Sequence, residues 1–218
     1  MKKVLLTGFD PFGGDVINPS WEVVSRLHHR KLEGLEELEV EARQLPTVFH
    51  TSLKMLRQLL LDVKPDVVIC VGQAGGRSEI AIERVAVNLS DARIPDNEGN
   101  QPIDEPIIPE GPAAYWSTLP VKAIAASIRK AGIPASVSYS AGTFVCNHLF
   151  YGLQHMLTSE FPSMRGGFIH IPYLPAQVAE RSNMPWMSLD DMERAIAIAA
   201  QTSVRLKQDI IAAEGRLF

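Results

Sequence analysis

Ser138-Tyr139-Ser140-Ala141-Gly142-Thr143-Phe144-Val145-Cys146-Asn147-His148-Leu149-Phe150 decides the fold class. The residues before it, Pro134 to Ser140, have the composition of a short strand. After it, Leu149, Leu153, Met156 and Leu157 recur at helical spacing. Ala141-Gly142-Thr143 is the tight turn between them, so the unit is strand, turn, helix. Cys146 falls near the first turn of that helix. Unpaired N–H groups and the positive end of the helix dipole favour thiolate there. A thiolate is the reactive form of cysteine. The competing reading is a small apolar residue packed in the core.

Working outward towards the N-terminus, Lys3 to Thr7 is a compact apolar run ended by Gly8, and reads as a buried strand. Phe9 and Phe12 follow in a Gly/Pro-rich loop, where core packing and pocket lining are both open. Asn18-Pro19 reads as an N-cap with proline at the first helical position. That helix runs through Trp21, Val23, Val24 and Leu27, with His28 and His29 near its solvated end. Leu38 to Gln44 alternates as a strand, and Pro46 breaks it. Phe49, Leu53, Leu56, Leu60 and Val63 mark an amphipathic helix over 48–63. Val67 to Val71 has the continuous apolar pattern of a central parallel strand, with Cys70 inside it. The loop Gly72 to Arg77 lacks the spacing of a dinucleotide fingerprint and the lysine of a P-loop. Its glycines would let main-chain groups approach a small ligand.

Val85, Val87 and Leu89 alternate as a strand, with Glu83 and Arg84 at its entrance. Residues 91–112 carry too many prolines for a long helix. Such a segment is expected to be a lid, a partner-binding arm or a disordered excursion. A further helix is expected from Leu119-Pro120 to Gly132. Phe168 to Ile171 reads as a short strand with His170 late in it. Ser188 and Asp191 have the spacing of a capping box, and the last helix is expected to run to about Ala213 with Ile196, Ala199, Ala200, Val204 and Ile211 inward.

The whole chain sets bounds. No linker or repeat divides residues 1–218, so one α/β domain is expected, with a mostly parallel sheet. The formal net charge of −4 gives no footprint for nucleic acid or an anionic membrane. No apolar run reaches the roughly 18 residues of a membrane span, and no signal-peptide core opens the chain. Two cysteines form neither a disulfide framework nor a zinc cluster, which fits a cytoplasmic protein.

A nucleophilic cysteine needs a base, usually histidine. His148 lies two residues from Cys146 and points to another face of the helix. His28, His29, His50 and His155 have no evident route to the site. His170 comes from the strand after the Cys146 helix, at the end of the sheet where ligand sites collect. Adjacent parallel strands would bring the two together. A third, acidic group would orient the imidazole, and Glu83, Asp10 and Asp96 are all candidates. The residues thus point to a Cys–His hydrolase or transferase. A nucleotide-binding protein built on the glycine loops and a non-catalytic assembly protein are the rival classes.

The chain resembles the type I, cysteine-dependent pyroglutamyl peptidases (pyrrolidone-carboxylate peptidases). The likeness rests on 6–14 (LTGFDPFGG), 71–77 (VGQAGGR), 83–88 (ERVAVN), 91–99 (DARIPDNEG), 140–148 (SAGTFVCNH) and 166–172 (GGFIHIP), in order along nearly the whole chain. The resemblance implies an α/β/α sandwich with a Cys146–His170–Glu83 triad that removes N-terminal pyroglutamate from peptides through a thioester. Another Cys–His amidase or acyl transferase on the same scaffold is the alternative. No metal or cofactor is implied. For the lactam ring, Phe9, Phe12 and Phe144 are the expected walls and the Gln73 loop the expected source of polar contacts. The N–H groups at the start of the Cys146 helix are the first candidates to hold the oxyanion, and the backbone near Arg93 a second. The resemblance also suggests a homotetramer, with 91–112 as lid or contact.

Overall fold

The computed structural model describes residues 2–30 and 38–215. In chain order these form β1 (Lys2–Phe9), α1 (Pro19–Arg26), β2 (Leu38–Leu45), α2 (Thr51–Val63), β3 (Val67–Gln73), β4 (Ile80–Glu83) and β5 (Val85–Val87). Then follow β6 (Ala114–Trp116), α3 (Val121–Lys130), β7 (Ala135–Ser138), α4 (Val145–Ser159), β8 (Arg165–Ile171), α5 (Pro175–Val178) and α6 (Leu189–Arg205). The main sheet has the order β2-β1-β3-β8-β4-β7. Every pairing in it is parallel except β4 against β8. β5 and β6 form a separate antiparallel pair.

Strand parity builds the two flanking layers. Val4, Leu6, Ile69, Val71, Ile82, Ile169 and Ile171 face one side, where α1, α3 and α6 cover them. Leu5, Val68, Cys70 and Phe168 face the other, under α2 and α4. Burial on both faces is why β1 and β3 read as unbroken apolar runs. The result is the expected α/β/α sandwich.

Local signals set the helix starts. The Asn18 side chain accepts from the Ser20 N–H at 3.1 Å, with Pro19 in the first turn. Ser20 Oγ accepts from the Phe9 N–H at 2.9 Å, tying the end of β1 to the start of α1. A Cβ at Gly8 would stand 2.6 Å from the Ser20 backbone, so the close approach of strand and helix depends on that glycine. Ser188 accepts from the Asp191 N–H at 3.1 Å and starts α6.

Four expectations change. α2 begins at Thr51 rather than Val48, because His50 takes a positive φ of 58° and the Phe49 N–H turns to the Asp96 carboxylate at 2.9 Å. Residues 80–83 are a strand of the main sheet, and the chain leaves it at Arg84 before β5 begins. α6 stops at Arg205, and Ile211 is fully exposed. The following chain instead delivers Asp209, whose carboxylate accepts from the N–H groups of Lys122 (3.0 Å) and Ala123 (2.9 Å) at the start of α3. That helix needs an outside acceptor because Pro120 in its cap position has no side-chain hydrogen bond to give. Last, β7 and β8 are not neighbours: β4 lies between them.

Residues 91–112 are an ordered arm. Ser90 bridges to Glu105, and Ala92 and Ile107 are buried in the α2/α4 layer. The Asp96 carboxylate accepts from the N–H groups of Phe49, Glu98 and Asn100 and from the Asn100 side chain. Asn97 donates to Asp10 and to the Pro11 carbonyl, and Thr143 Oγ1 to the Asp91 carbonyl, so the arm joins the loop after β1 to the turn before α4.

Candidate active site

Cys146 is the second residue of α4. The turn before it uses Gly142 at φ 77°, a conformation glycine adopts without strain. The thiol hangs over β3: a Cβ built on Gly72 would stand 2.9 Å from Cys146 Sγ. Gly72 is in turn the cross-strand partner of His170. One glycine thus brings the thiol down beside the imidazole strand.

The acid comes from the strand that sequence reading missed. β4 runs against β8 with Ala81 opposite His170. Glu83, two residues on, shares that face and meets His170 on the diagonal, a separation long side chains span. Glu83 Oε1 accepts from His170 Nδ1 at 2.8 Å. Both side chains are buried, Glu83 completely. Arg77 Nη1 donates to the same Oε1 at 3.0 Å, and Oε2 has no hydrogen bond among the described residues. Because Nδ1 faces the carboxylate, Nε2 is the ring nitrogen left to exchange a proton.

The other two acids serve the framework. Asp10 Oδ1 accepts from the Thr47 N–H at 2.6 Å and from Asn97, while Asp96 organises the arm. For Asp96, burial opposes the charge, but hydrogen bonds from Asn100, Phe49 and Glu98 outweigh it and hold the carboxyl below its usual range. Among the described residues, the other histidines pair elsewhere. His148 is buried between Ser90 and the His50 backbone, and His155 meets the Tyr115 hydroxyl at 2.9 Å. His28 and His29 stack on each other beside Glu41 on the β2 edge.

The thiol does not follow the expectation for a helix start. Burial, followed by the Glu83 charge and Cys70, pushes Cys146 up to about 12, against smaller opposing effects of Arg77 and its own backbone N–H. These effects favour the thiol over the thiolate, so the nucleophile depends on a neighbouring base to take its proton.

The aromatic residues divide. Phe9 is buried against Phe168, with ring centroids 6.4 Å apart. Phe12 and Phe144 are half-buried and face each other at 6.1 Å, and Phe49 closes on Phe144 edge-on at 5.3 Å. The Gln73 side chain accepts from Gln177 at 2.8 Å and approaches Asp15. Arg93 is exposed and makes no side-chain hydrogen bond to the described residues. The one group of described residues within metal-ligand reach of one another is His28 and His29, just after α1, with Glu41 on the edge strand β2. There the Ala42 N–H already donates to His28 Nδ1, and the Arg43 guanidinium sits 2.8 Å from Glu41.

Arg77 is the polar partner that sequence reading did not single out. The available signal was an arginine closing a glycine loop directly before the strand of a buried acid.

Comparisons with known proteins show the family. The pyroglutamyl peptidase family model matches residues 2–206. A pyrrolidone-carboxylate peptidase of Brevibacillus brevis is 54% identical over 217 residues, 100% of each chain, and one of Bacillus thuringiensis is 54% identical over 97% of each. The crystal structure of pyroglutamyl peptidase I from Bacillus amyloliquefaciens superposes with a TM-score of 0.94 at 55% identity, covering 97% of this chain and 99% of that one. Pyrrolidone carboxyl peptidase from Thermococcus litoralis follows at 0.93 and 41% identity, covering 98% and 100%. Matched along nearly its whole length, this chain belongs to the pyroglutamyl peptidase family.

Proposed function

We propose that the protein is a thiol exopeptidase that hydrolyses the amide bond after an N-terminal pyroglutamyl residue. The observation that carries the reading is the Glu83–His170 hydrogen bond on the strand beside Gly72, with Cys146 Sγ above it, in a chain of this family. Cys146 is the nucleophile, His170 the acid and base, and Glu83 the acid that holds the imidazole.

The thiol proton passes to His170 Nε2 as Sγ bonds to the scissile carbonyl carbon. Glu83 fixes the reacting tautomer and balances the imidazolium that forms. First-turn N–H groups of α4 hold the oxyanion. The C–N bond then breaks, the imidazolium proton goes to the departing amine, and a thioester remains on Cys146. Water, giving its proton to His170, attacks the thioester. Pyroglutamate leaves, and the thiol recovers its proton. A pyroglutamyl group carries no ammonium, so the site needs no carboxylate for one. Phe12 and Phe144 are the ring walls, with Phe9 packed behind them in the core, and main-chain groups near Gln73 meet the lactam. The backbone near Arg93 is a second oxyanion donor.

Among the described residues no helix is long and apolar enough to cross a membrane. Cys70 and Cys146 are both free thiols, which suits the reducing cytoplasm. Residues 1–218 act as one catalytic domain and assemble as a homotetramer, with the 91–112 arm at or near the contacts. Light scattering of the purified protein tests the assembly.

The test of the activity compares a pyroglutamyl fluorogenic amide with the matching prolyl amide under reducing conditions. Cleavage of the first alone is expected. Cleavage of the prolyl amide alone would point to another Cys–His amidase, and cleavage of neither would overturn the peptidase reading.

A further inference from the structure

We propose that Arg77 is a positioning residue that ties the acid of the site to the turn carrying its nucleophile. The proposal rests on the reading of Glu83, His170 and Cys146 given above.

The guanidinium reaches three elements at once. Nη1 donates to Glu83 Oε1 at 3.0 Å, at the end of β4, and to Ser138 Oγ at 3.2 Å, at the end of β7. Nη2 donates to the Ser140 carbonyl at 3.2 Å, in the turn that leads to Cys146. Ser138 Oγ also donates to that carbonyl at 3.3 Å, so the cross-link is closed on itself. Without it, the described structure has no side-chain bond between the Glu83 carboxylate and the Cys146 turn. The fork geometry explains why arginine and not lysine stands here, since a lysine is a point charge without fixed directions.

Arg77 is itself held. Its N–H donates to the Ala74 carbonyl at 3.3 Å. A Cβ at Gly75 would fall 2.1 Å from the Tyr173 hydroxyl oxygen, so the loop lies flat against Tyr173, two residues past the end of β8. The loop from Gln73 to Arg77 therefore reaches from the proposed lactam contacts to the acid.

Charge gives a second reason. Glu83 is wholly buried, and a buried carboxylate needs a compensating cation. His170 is positively charged for only part of the proposed cycle, whereas arginine is charged throughout it. The titratable groups around the guanidinium are Glu83 on β4, His170 on β8 and Cys146 on α4. Towards Cys146, Arg77 acts opposite to Glu83 and lowers the thiol pKa.

The experiment uses Arg77→Gln and Arg77→Lys in the full-length chain, with kcat and KM on the pyroglutamyl amide, thermal unfolding, and the rate of Cys146 alkylation by iodoacetamide against pH. For Arg77→Gln, kcat should fall about 100-fold, the low end of what positioned acid–base chemistry contributes, with KM within about threefold. Alkylation at a fixed pH should slow. Arg77→Lys, which restores the charge but not the fork, should recover about tenfold in kcat. A kcat for Arg77→Gln within threefold of wild type would overturn the proposal, as would a rise in KM alone. Equal losses in both variants that follow only their unfolding would reduce Arg77 to a structural ion pair. If the wild type itself fails on the pyroglutamyl amide, the functional reading fails instead. The alkylation profile then still decides whether Arg77 acts on the thiol, because it needs no substrate.

Discussion

Gly72 lies directly beneath Cys146: a Cβ at position 72 would stand 2.9 Å from Cys146 Sγ and 2.8 Å from the Phe168 ring. The glycine needs no special backbone conformation, since it sits within β3. What requires it is the space taken by the sulfur and by the Phe168 ring. Gly72→Ala should cost about 1–3 kcal/mol, as overpacking does, and displace the thiol from His170. The expected result is a melting point lower by several degrees, with kcat down at least about tenfold. Unchanged turnover in Gly72→Ala would show that the thiol is not held where the site requires it.

Glu83→Gln keeps the side-chain shape and removes the charge between His170 and Arg77. Turnover should fall about 10²- to 10⁴-fold, because the imidazole loses its tautomer control and the imidazolium its counterion. KM should change little. A rise in KM with kcat preserved would contradict an orienting role and make Glu83 a substrate contact.

His148 couples stability to pH away from the proposed chemistry. Burial, then the neighbouring His50, pushes it down to about 4 from 6.5. Its Nε2 accepts from the His50 N–H at 3.2 Å, so Nδ1 is the protonated nitrogen facing Ser90 Oγ. The unfolded chain binds a proton here below pH about 6.5, and the folded chain only below about 4. Stability is therefore full above the upper value and falls as pH drops through the window, by up to about 3 kcal/mol. Denaturant unfolding of wild type and His148→Gln at pH 7.5 and 4.5 measures it. The wild type should lose more stability than the variant between those two values. Equal losses would remove His148 as the cause.

Phe12 faces Phe144 at a centroid distance of 6.1 Å, on the loop that the Asn97 side chain holds through the Pro11 carbonyl. If it stacks on the lactam ring, Phe12→Ala should lower kcat/KM for a pyroglutamyl amide about threefold to tenfold, the worth of one ring contact. An unchanged kcat/KM would remove Phe12 from the pocket.

Much of the scaffold could be read locally. Val67 to Val71 is apolar because both faces of β3 are covered, and Asn18-Pro19 and Ser188 start their helices through bonds to residues two or three positions away. The Cys146 helix start and His170 near the end of β8 were legible for the same reason. The remainder depends on contacts distant in sequence. β4 is four residues long and becomes a strand by pairing with β7 and β8. The choice of Glu83 over Asp10 and Asp96 came from family resemblance, because that pairing is what brings it to His170. The last helix was overread because its apolar period continues past Arg205, while the chain is drawn off by the unfilled start of α3. The thiol was expected to favour its charged form at a helix start, yet burial and the Glu83 charge act the other way.

The most direct test of the account is turnover of a pyroglutamyl amide by wild type and by Cys146→Ala, with circular dichroism confirming that both are folded. Removing a small thiol at the second position of α4 should leave the fold intact. The account predicts thiol-dependent cleavage by wild type and none measurable by Cys146→Ala. Cleavage by folded Cys146→Ala at more than about one-hundredth of the wild-type rate would contradict Cys146 as the nucleophile.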